Sequence, residues 1–333
     1  MNRESVAEQQ VDVILAAYNA EATIARAAES VIDDPRLGRL VIVDDASSDK
    51  SRQVIQALAE KYDKILPVLL DQNVGPAQAR NLGFEQSTAA WVAILDSDDW
   101  MDKNRLSTLV SQAISAQADI IADDVYMHQP DGSRASVWPT NEFTPFFINP
   151  AFFAQMNMES YAGTAREFGY IKPVFRAESL RRSGAPWRQD LRIMEDYDLY
   201  MRCLVAGDRF LFVPPAGYHY DRGTASRAFR PNDLGLVVQL DRAFAKQVSD
   251  RVDKVWIGRH ADGLEALLIW VSIFGDRKLS ALPKAVLRSI LRPGIGRQLG
   301  LRLLMKLRGI APNSSKVRDI SEGSPADLVS KAR

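Results

Sequence analysis

The sequence Trp-Val-Ala-Ile-Leu-Asp-Ser-Asp-Asp-Trp at residues 91–100 is an apolar run of strand length that ends in three carboxylates. Such a run predicts a buried strand, and open α/β sheets bind ligands at the carboxyl ends of their strands. Asp96 and Asp98 stand two positions apart, so their side chains project to the same side of an extended segment. Two hard oxygen donors in this arrangement suit Mg²⁺ or Mn²⁺ that carries a diphosphate.

The same acids also fit the start of a helix, where carboxylates cap backbone amides. Asp102 lies just before the next helical pattern and would meet that need alone, which leaves the earlier acids unexplained. Taken by itself, the cluster favours neither the metal site nor the helix N-terminus.

Composition indicates an ordinary globular protein. The chain has 333 residues, 46% of them hydrophobic, which suits one large domain or two unequal ones. Its 42 basic and 42 acidic residues balance, so no global charge favours a nucleic-acid partner, and we predict none. One cysteine, Cys203, excludes an internal disulfide framework, and three histidines far apart in sequence argue against a Cys/His zinc centre.

The ends and the hydropathy of the chain bear on location. Residues 1–10 are polar and lack the apolar core of a signal peptide, and no run of about 20 apolar residues predicts a transmembrane helix. These features predict a cytoplasmic protein.

Strand and helix patterns alternate along the first 120 residues. Apolar strand patterns fall at 11–17, 40–43, 65–70 and 91–95, and helical patterns fall at 20–32, after Ser47-Ser48-Asp49, at 77–86 and around 106–114. This alternation predicts right-handed βαβ units on a mostly parallel, doubly wound sheet with flanking helices.

Acids also end the second predicted strand, as Asp44 and Asp45. Because the carboxyl ends of parallel strands share a face, these residues and Asp96/Asp98 are expected to line one crevice. The first strand is followed by Ala16-Ala17-Tyr18-Asn19-Ala20, which lacks a glycine-rich phosphate loop. Its absence argues against a dinucleotide dehydrogenase or a P-loop enzyme.

Residues 128–170 form an irregular segment rich in aromatic residues, and a helix is predicted over 191–204. Long excursions of this kind often form binding walls, but the aromatics fit the packing of a surface subdomain equally well. The aromatic residues are Trp138, Phe143, Phe146, Phe147, Phe152, Phe153 and Tyr161.

The C-terminal part of the chain is predicted to be helical and basic. Between Asp276 and Asp319 no acid occurs, and leucines are threaded between Arg277, Lys278, Lys284, Arg288, Arg292, Arg297, Arg302, Lys306 and Arg308. A basic amphipathic segment suits an anionic membrane surface. The alternative is a helical pair that packs on the catalytic domain and exposes a solvated basic side, and we favour the membrane.

Five motifs, taken together, resemble the family-2 glycosyltransferases in order and spacing. They are Val-Ile-Leu-Ala-Ala-Tyr-Asn (13–19), Val-Asp-Asp-Ala-Ser-Ser-Asp (43–49), Ala-Arg-Asn-Leu-Gly (79–83), Leu-Asp-Ser-Asp-Asp (95–99) and Glu-Asp-Tyr-Asp-Leu (195–199). Residues 168–173, Phe-Gly-Tyr-Ile-Lys-Pro, and the stretch through Gly217-Tyr218 also resemble bacterial glucosyltransferases that assemble succinoglycan-type exopolysaccharide. The likeness covers about residues 10–245.

The resemblance implies the GT-A fold, a Rossmann-like arrangement with a C-terminal helical extension added in this chain. The predicted organisation is a flexible N-terminus (1–10), a catalytic domain (11–230), a helical basic extension (231–311) and a disordered tail (312–333).

The resemblance also implies residues that hold the donor. Ala16, Tyr18 and Asp45 would flank the nucleotide base, with Asp45 accepting from a uracil N–H. Arg80 would lie beside the nucleotide and hold Asp45 or a phosphate, and Asp96 would approach the ribose.

Metal and diphosphate roles follow from the same resemblance. Asp98 would bind Mg²⁺ or Mn²⁺, with Asp99 as the second candidate. Family members often use a His or Arg of a later loop to help hold the diphosphate. Here that loop is shortened, so His219, which is also a predicted metal ligand, and Arg222 stay open as alternatives for that role.

The implied reaction transfers a sugar, expected to be glucose, from a UDP-sugar with inversion. Asp196 would be the catalytic base and Glu195 its support. Taken alone, the two acids better suit a helix N-terminus, and it is the other motifs that favour the base. The expected acceptor is a saccharide, carried on a polyprenyl diphosphate at the inner face of the plasma membrane, in surface-polysaccharide synthesis. The alternatives are a sugar nucleotidyltransferase and a non-catalytic sugar-nucleotide-binding scaffold.

Overall fold

The computed structural model describes residues 9–136, 138, 144–161, 168–182, 184–221, 231–275, 288–289 and 291–307. Several predicted features lie outside these residues: Phe143, Arg222, Arg277, Lys278, Lys284, Arg308 and both predicted flexible ends, apart from residues 9 and 10.

One mixed sheet contains the ten strands of the described residues, in the order β3-β2-β1-β4-β9-β6-β10-β5, with β7 beside β6 and β8 beside β10. The strands are β1 (Val11–Ala17), β2 (Leu37–Asp44), β3 (Ile65–Leu69), β4 (Trp91–Ile94), β5 (Trp100–Met101), β6 (Ile120–His128), β7 (Arg134–Ser136), β8 (Phe146–Ile148), β9 (Val174–Arg176) and β10 (Phe210–Asp221).

The mostly parallel character predicted from the sequence is confirmed. Strands β3, β2, β1 and β4 are parallel neighbours, and β10 is parallel to β6. The short strand β9 lies antiparallel between β4 and β6, so those two strands run in the same direction. Six strands therefore have their carboxyl ends at one edge, which is where α/β sheets place their sites.

Helices alternate with the first strands as predicted. The α-helices of the described residues are α1 (Ile24–Val31), α2 (Ser51–Lys61), α3 (Pro76–Glu85), α4 (Arg105–Ala116), α5 (Pro150–Tyr161), α6 (Ala177–Arg181), α7 (Glu195–Val205), α8 (Pro231–Gln247), α9 (Arg251–Trp270) and α10 (Pro293–Leu307). The helix predicted over 191–204, with its start expected around residues 193–196, begins at Glu195, because Met194 has a φ of 63°, a left-handed conformation that a helix interior excludes.

The chain divides into two compact units. The first comprises Met1–Phe147, Tyr170–Glu195 and Gly207–Ser226, and the second comprises Ile148–Gly169, Asp196–Ala206 and Arg227–Arg333. The boundaries predicted at residues 10, 230 and 311 stay predictions. The compact division adds that two internal segments, 148–169 and 196–206, group with the chain beyond residue 227.

Most described aromatics of the irregular segment are packed. Trp138, Phe146, Phe152 and Phe153 are buried, whereas Phe147 is exposed beneath the Arg209 guanidinium. Packing rather than a binding wall therefore accounts for the buried four.

The second unit has a polar cluster in its core. The Tyr197 hydroxyl lies 2.8 Å from Asp241 Oδ1 and 3.0 Å from His260 Nδ1, and that nitrogen lies 2.6 Å from Asp241 Oδ2. All three side chains are buried, so these hydrogen bonds join α7, α8 and α9 within the core.

Candidate active site

Strand β4 delivers Asp96 to the carboxyl edge of the sheet, between two buried cations. Arg80 Nη2 donates to Asp96 Oδ1 at 2.7 Å, and Lys172 Nζ lies 3.0 Å from Asp96 Oδ2. Burial opposes ionisation of Asp96, but the charges and hydrogen bonds of Lys172 and Arg80 outweigh it and hold its pKa well below the usual range. Asp96 is therefore a fixed, ionised carboxylate.

Helix α3 brings Arg80 into this cluster because it packs very closely on the sheet. A Cβ built at Gly83 would lie 2.6 Å from Ile14 Cγ2, so only glycine permits this approach. Asn81 on the same helix exchanges two hydrogen bonds with the backbone of Trp187, at 2.7 and 3.0 Å. The motif Ala-Arg-Asn-Leu-Gly thus fixes the helix and the chain that leads to Glu195.

Glu195 is the second acid on Arg80. Arg80 Nη1 donates to Glu195 Oε1 at 3.2 Å, and both side chains are buried. The structure therefore joins three predicted site residues, Asp96, Arg80 and Glu195, into one ion-paired group. Asp196 follows Glu195 in helix α7, is half-buried, and is the first residue of its segment in the second unit.

Asp45 supports the loop that leads into α3. Its carboxylate accepts from the Val74 and Gly75 amides at 2.7 and 2.9 Å, and Gly75 has a φ of +86° that favours glycine. Contact with a uracil N–H would have to use the remaining lone pairs of this carboxylate. The role predicted for Asp45 stays a prediction.

The loop after β1 exposes the other two residues predicted at the base. Ala16 is half-buried near the end of β1, and Tyr18 is 53% exposed. An exposed aromatic ring at the carboxyl edge of the sheet suits stacking on a base, and the role predicted for Tyr18 stays a prediction.

Asp98 and Asp99 differ sharply in environment. Asp99 is buried and accepts from the Tyr218 hydroxyl at 2.8 Å and from the Asp221 amide at 2.9 Å. Asp98 is exposed. Desolvation and the charge of Asp96 raise the pKa of both carboxyls, that of Asp99 well above its usual value.

Among the acids of this site, Asp98 is the best suited to hold a divalent cation. A bound cation would offset the desolvation and the like-charge repulsion that now raise the pKa of this carboxyl. No group of three or more His, Cys, Asp or Glu among the described residues could hold an ion by itself. Mg²⁺ is commonly held by one or two carboxylates with substrate phosphates completing its shell, which matches a single exposed acid.

His219 uses both ring nitrogens within the protein. Nε2 lies 2.9 Å from Asp102 Oδ1, Nδ1 lies 2.9 Å from His128 Nε2, and the ring stacks on Trp100. Metal binding by His219 would have to break one of these contacts, so its predicted ligand role stays a prediction that the hydrogen bonding does not favour. The Asp102 side chain therefore contacts His219. It is not the N-cap of helix α4, since that position is Asn104.

The sequence did not single out Lys172 as a site residue. It lies in the Phe-Gly-Tyr-Ile-Lys-Pro motif, but its contact with Asp96 depends on the insertion of β9 beside β4. The signal available in the sequence was a single lysine within the otherwise apolar stretch at residues 170–175, Tyr-Ile-Lys-Pro-Val-Phe.

The sequence of this chain is similar to that of known proteins. A model of glycosyl transferase family 2 matches residues 12–175. The succinoglycan biosynthesis protein ExoU of Rhizobium meliloti is 32% identical over 243 residues, covering 72% of this chain and 70% of ExoU. The succinoglycan biosynthesis protein ExoO of the same organism is 28% identical over 332 residues, covering 95% and 94%.

A solved structure shows a similar fold. The structure of S. aureus TarS residues 1–349 in complex with UDP-GlcNAc matches with a TM-score of 0.60 at 17% identity, covering 93% of this chain and 83% of that one. Another crystal of the same fragment contains UDP and matches with a TM-score of 0.56 at 18% identity, covering 79% of this chain and 72% of that one.

Proposed function

Since this chain belongs to glycosyl transferase family 2, we propose that it transfers a sugar from a UDP-sugar to a saccharide acceptor during the synthesis of an exopolysaccharide or another surface polysaccharide. The observation that carries the proposal is the ion-paired Asp96, held by Arg80 and Lys172 at the end of β4, two residues before the exposed Asp98. The names of the two succinoglycan proteins support a role in exopolysaccharide synthesis. The UDP and UDP-GlcNAc complexes of TarS support UDP as the nucleotide of the donor. Glucose is the donor sugar we propose.

The donor is held by the chain's own polar and aromatic groups. Tyr18 and Ala16 flank the base, Asp45 accepts from the uracil N–H, and the ionised Asp96 accepts from a ribose hydroxyl. Because Arg80 ties Asp96 to Glu195, the same guanidinium aligns the donor end of the site with the start of helix α7.

Asp98 would hold the Mg²⁺ or Mn²⁺ ion that we propose for the donor site. A bound ion of this kind neutralises the charge that develops on the leaving nucleotide and orients it. Asp98 is ionised in this state, since the cation favours the charged carboxylate.

Asp196 takes the proton of the acceptor hydroxyl as the new glycosidic bond forms and the bond between the sugar and UDP breaks, releasing UDP. General-base assistance contributes about 10²–10⁴-fold. One base without a covalent partner gives a single displacement with inversion, by analogy with inverting glycosidases. Glu195 supports this end of the helix through Arg80.

The acceptor is lipid-linked, and the C-terminal basic segment docks on the anionic inner face of the membrane. None of the helices in the described part of the chain combines the length and hydropathy of a membrane span. Leu291 and Leu303 are 70% and 45% exposed, which supplies apolar surface for an interface. Against this, Arg288 and Arg292 are engaged with Glu265 of α9, so part of the basic charge serves packing within the second unit.

A panel of nucleotide sugars with Mn²⁺ or Mg²⁺ tests the donor. We expect UDP-glucose to give the largest thermal shift and the fastest release of free nucleotide. A preference for GDP-sugars would overturn the UDP assignment. Binding without nucleotide release under any acceptor tried would favour the scaffold function.

Liposome flotation tests the membrane contact. We expect the protein to float with vesicles that contain anionic lipid and to stay behind with purely zwitterionic vesicles, and added salt should weaken the binding. Failure to float with either vesicle would refute the contact.

A further inference from the structure

Lys172 reaches the end of β4 because of the strand register. In the antiparallel pair, Trp91 faces Arg176 and Ala93 faces Val174. Continuing that register by two residues places Lys172 opposite Leu95, directly beside Asp96. The insertion of β9 into the sheet therefore serves to bring a lysine to the residue that ends the neighbouring strand.

The backbone of Lys172 is held in place by a buried ion pair. Arg105 Nη2 donates to the Lys172 carbonyl at 2.7 Å, and Arg105 is held in turn by Asp123, with Nη2 at 2.5 Å from Asp123 Oδ1. Both side chains of this ion pair are buried. Gly217 leaves room for the pair, since a Cβ there would lie 2.6 Å from Asp123 Oδ2. A buried pair that also holds a neighbouring carbonyl is well suited to fixing a side chain.

Lys172 and Arg80 contact different oxygens of the Asp96 carboxylate. Each cation takes one oxygen of the carboxylate, and Arg80 is shared with Glu195. Arg80 alone would satisfy the charge of Asp96, but one contact leaves the carboxylate able to rotate about its side-chain bonds. The second cation removes that freedom.

We propose that Lys172 is a positioning residue for the nucleotide donor, acting through Asp96 by fixing the orientation of its carboxylate toward the ribose. This inference rests on the proposed function, because it needs a nucleoside at Asp96. The Lys172 side chain is 6% exposed and its Nζ lies against Asp96 Oδ2, so Lys172 acts on the ligand through the carboxylate rather than by direct contact with a phosphate.

A double-mutant cycle tests this. The affinities of UDP and of uridine are measured, with Mn²⁺ present, for the wild type, Lys172→Met, Asp96→Asn and the double variant. We expect Lys172→Met to weaken both ligands about tenfold, with kcat at saturating donor changed far less than the donor KM. In the Asp96→Asn background the same change should cost less than about threefold, since the coupled residue is already lost.

Controls separate positioning from general damage. Lys172→Arg should restore part of the affinity, and Lys172→Gln offers a second neutral variant if the methionine variant does not fold. Lys61→Met is the matched control, because Lys61 forms an exposed pair with Glu29, at 2.9 Å, and should leave binding unchanged.

Four outcomes would overturn the inference. Equal losses in both backgrounds would mean that Lys172 acts independently of Asp96, and a loss for UDP with uridine spared would mean that Lys172 contacts the phosphates directly. Unchanged affinity would mean that Arg80 suffices to orient Asp96. If the wild type binds neither ligand, the proposed function fails first, and this inference fails with it.

Discussion

Glu195 and Asp196 are neighbours at the start of one helix and have different surroundings. Glu195 is buried and accepts from Arg80, whereas Asp196 is half-buried. A buried carboxylate bound to a guanidinium is poorly placed to exchange a proton with a substrate, and a partly exposed one is better placed. At the residue scale, the proposed division of labour between base and support follows from this difference.

Removal of the proposed base should slow turnover strongly and spare binding. We expect Asp196→Asn to lower kcat by about 10²–10⁴-fold, the usual contribution of a general base, while UDP affinity stays within about twofold. Asp190→Asn is the matched control, because Asp190 is exposed and pairs with Arg188 at 2.6 Å. Near-normal turnover of the Asp196 variant would refute the base assignment.

Metal dependence should follow Asp98 rather than His219. Asp98→Asn removes an exposed charged donor, so the Mn²⁺ concentration for half-maximal activity should rise at least tenfold, about 1.4 kcal/mol of binding energy. His219→Gln should change it little, because both nitrogens of His219 are engaged with Asp102 and His128. A metal titration of both variants decides between them, and the reverse order would restore His219 as the ligand.

At the scale of elements, the close contact of helix α3 with strand β1 depends on the absence of a side chain at Gly83. Ala is favoured over Gly inside a helix by about 1 kcal/mol, but the Cβ of Gly83→Ala would meet Ile14 at 2.6 Å and Val43 at 3.1 Å. Overpacking costs about 1–3 kcal/mol and should outweigh the gain in helix propensity. Thermal unfolding of Gly83→Ala should therefore show a lower Tm.

Gly258→Ala is the control for that substitution. Gly258 lies inside helix α9, and no heavy atom lies within 4 Å of a Cβ built there. Helix propensity alone should act, so this variant should gain about 0.5–1 kcal/mol. A Gly83 variant as stable as the Gly258 variant would contradict the close packing of α3.

The hairpin of β6 and β7 contains an acid that opposes folding at neutral pH. Burial raises the pKa of Asp124 from its ordinary 3.8 to about 6. The folded protein therefore binds more protons than the unfolded chain between these values, and the free energy of unfolding falls as the pH rises through 4 to 6. The loss is on the order of 1 to 3 kcal/mol at neutral pH.

Asp124→Asn should remove this loss. The asparagine carbonyl can accept from the Trp138 amide, and its NH₂ group can donate to Ser136 Oγ, which donates to the Trp138 carbonyl. We expect a higher Tm at pH 7.5 than the wild type and a flatter Tm between pH 4 and 6. An unchanged pH profile would show that Asp124 does not titrate in this range.

At the scale of the whole molecule, the sheet could be predicted from local patterns. Apolar runs such as 11–17 and 91–94 are buried strands because their spacing and β-branched residues permit little else. Acids at strand ends converged on one edge because parallel strands share a direction. Motif order placed Asp96, Arg80 and Glu195 in one site but did not predict the ion pairs that join them. Arg80 was expected to hold Asp45 or a phosphate, and in the structure it donates to Asp96 and Glu195.

Long-range register could not be predicted. Three residues, Val174–Arg176, insert as β9 between two strands far apart in sequence, and no local pattern specifies that place. The contact of Lys172 with Asp96 depends on it. The mutual engagement of His219 and His128 likewise arises from the pairing of β10 with β6, which sequence spacing does not reveal.

The most direct test of the whole account is a crystal soaked with UDP and Mn²⁺, measured at a wavelength where manganese scatters anomalously. We predict an anomalous peak at bonding distance from the Asp98 carboxylate, the ribose hydroxyls against Asp96, and the uracil ring beside Tyr18. A manganese peak at His219 and Asp102, or UDP bound away from the carboxyl end of β4, would contradict it.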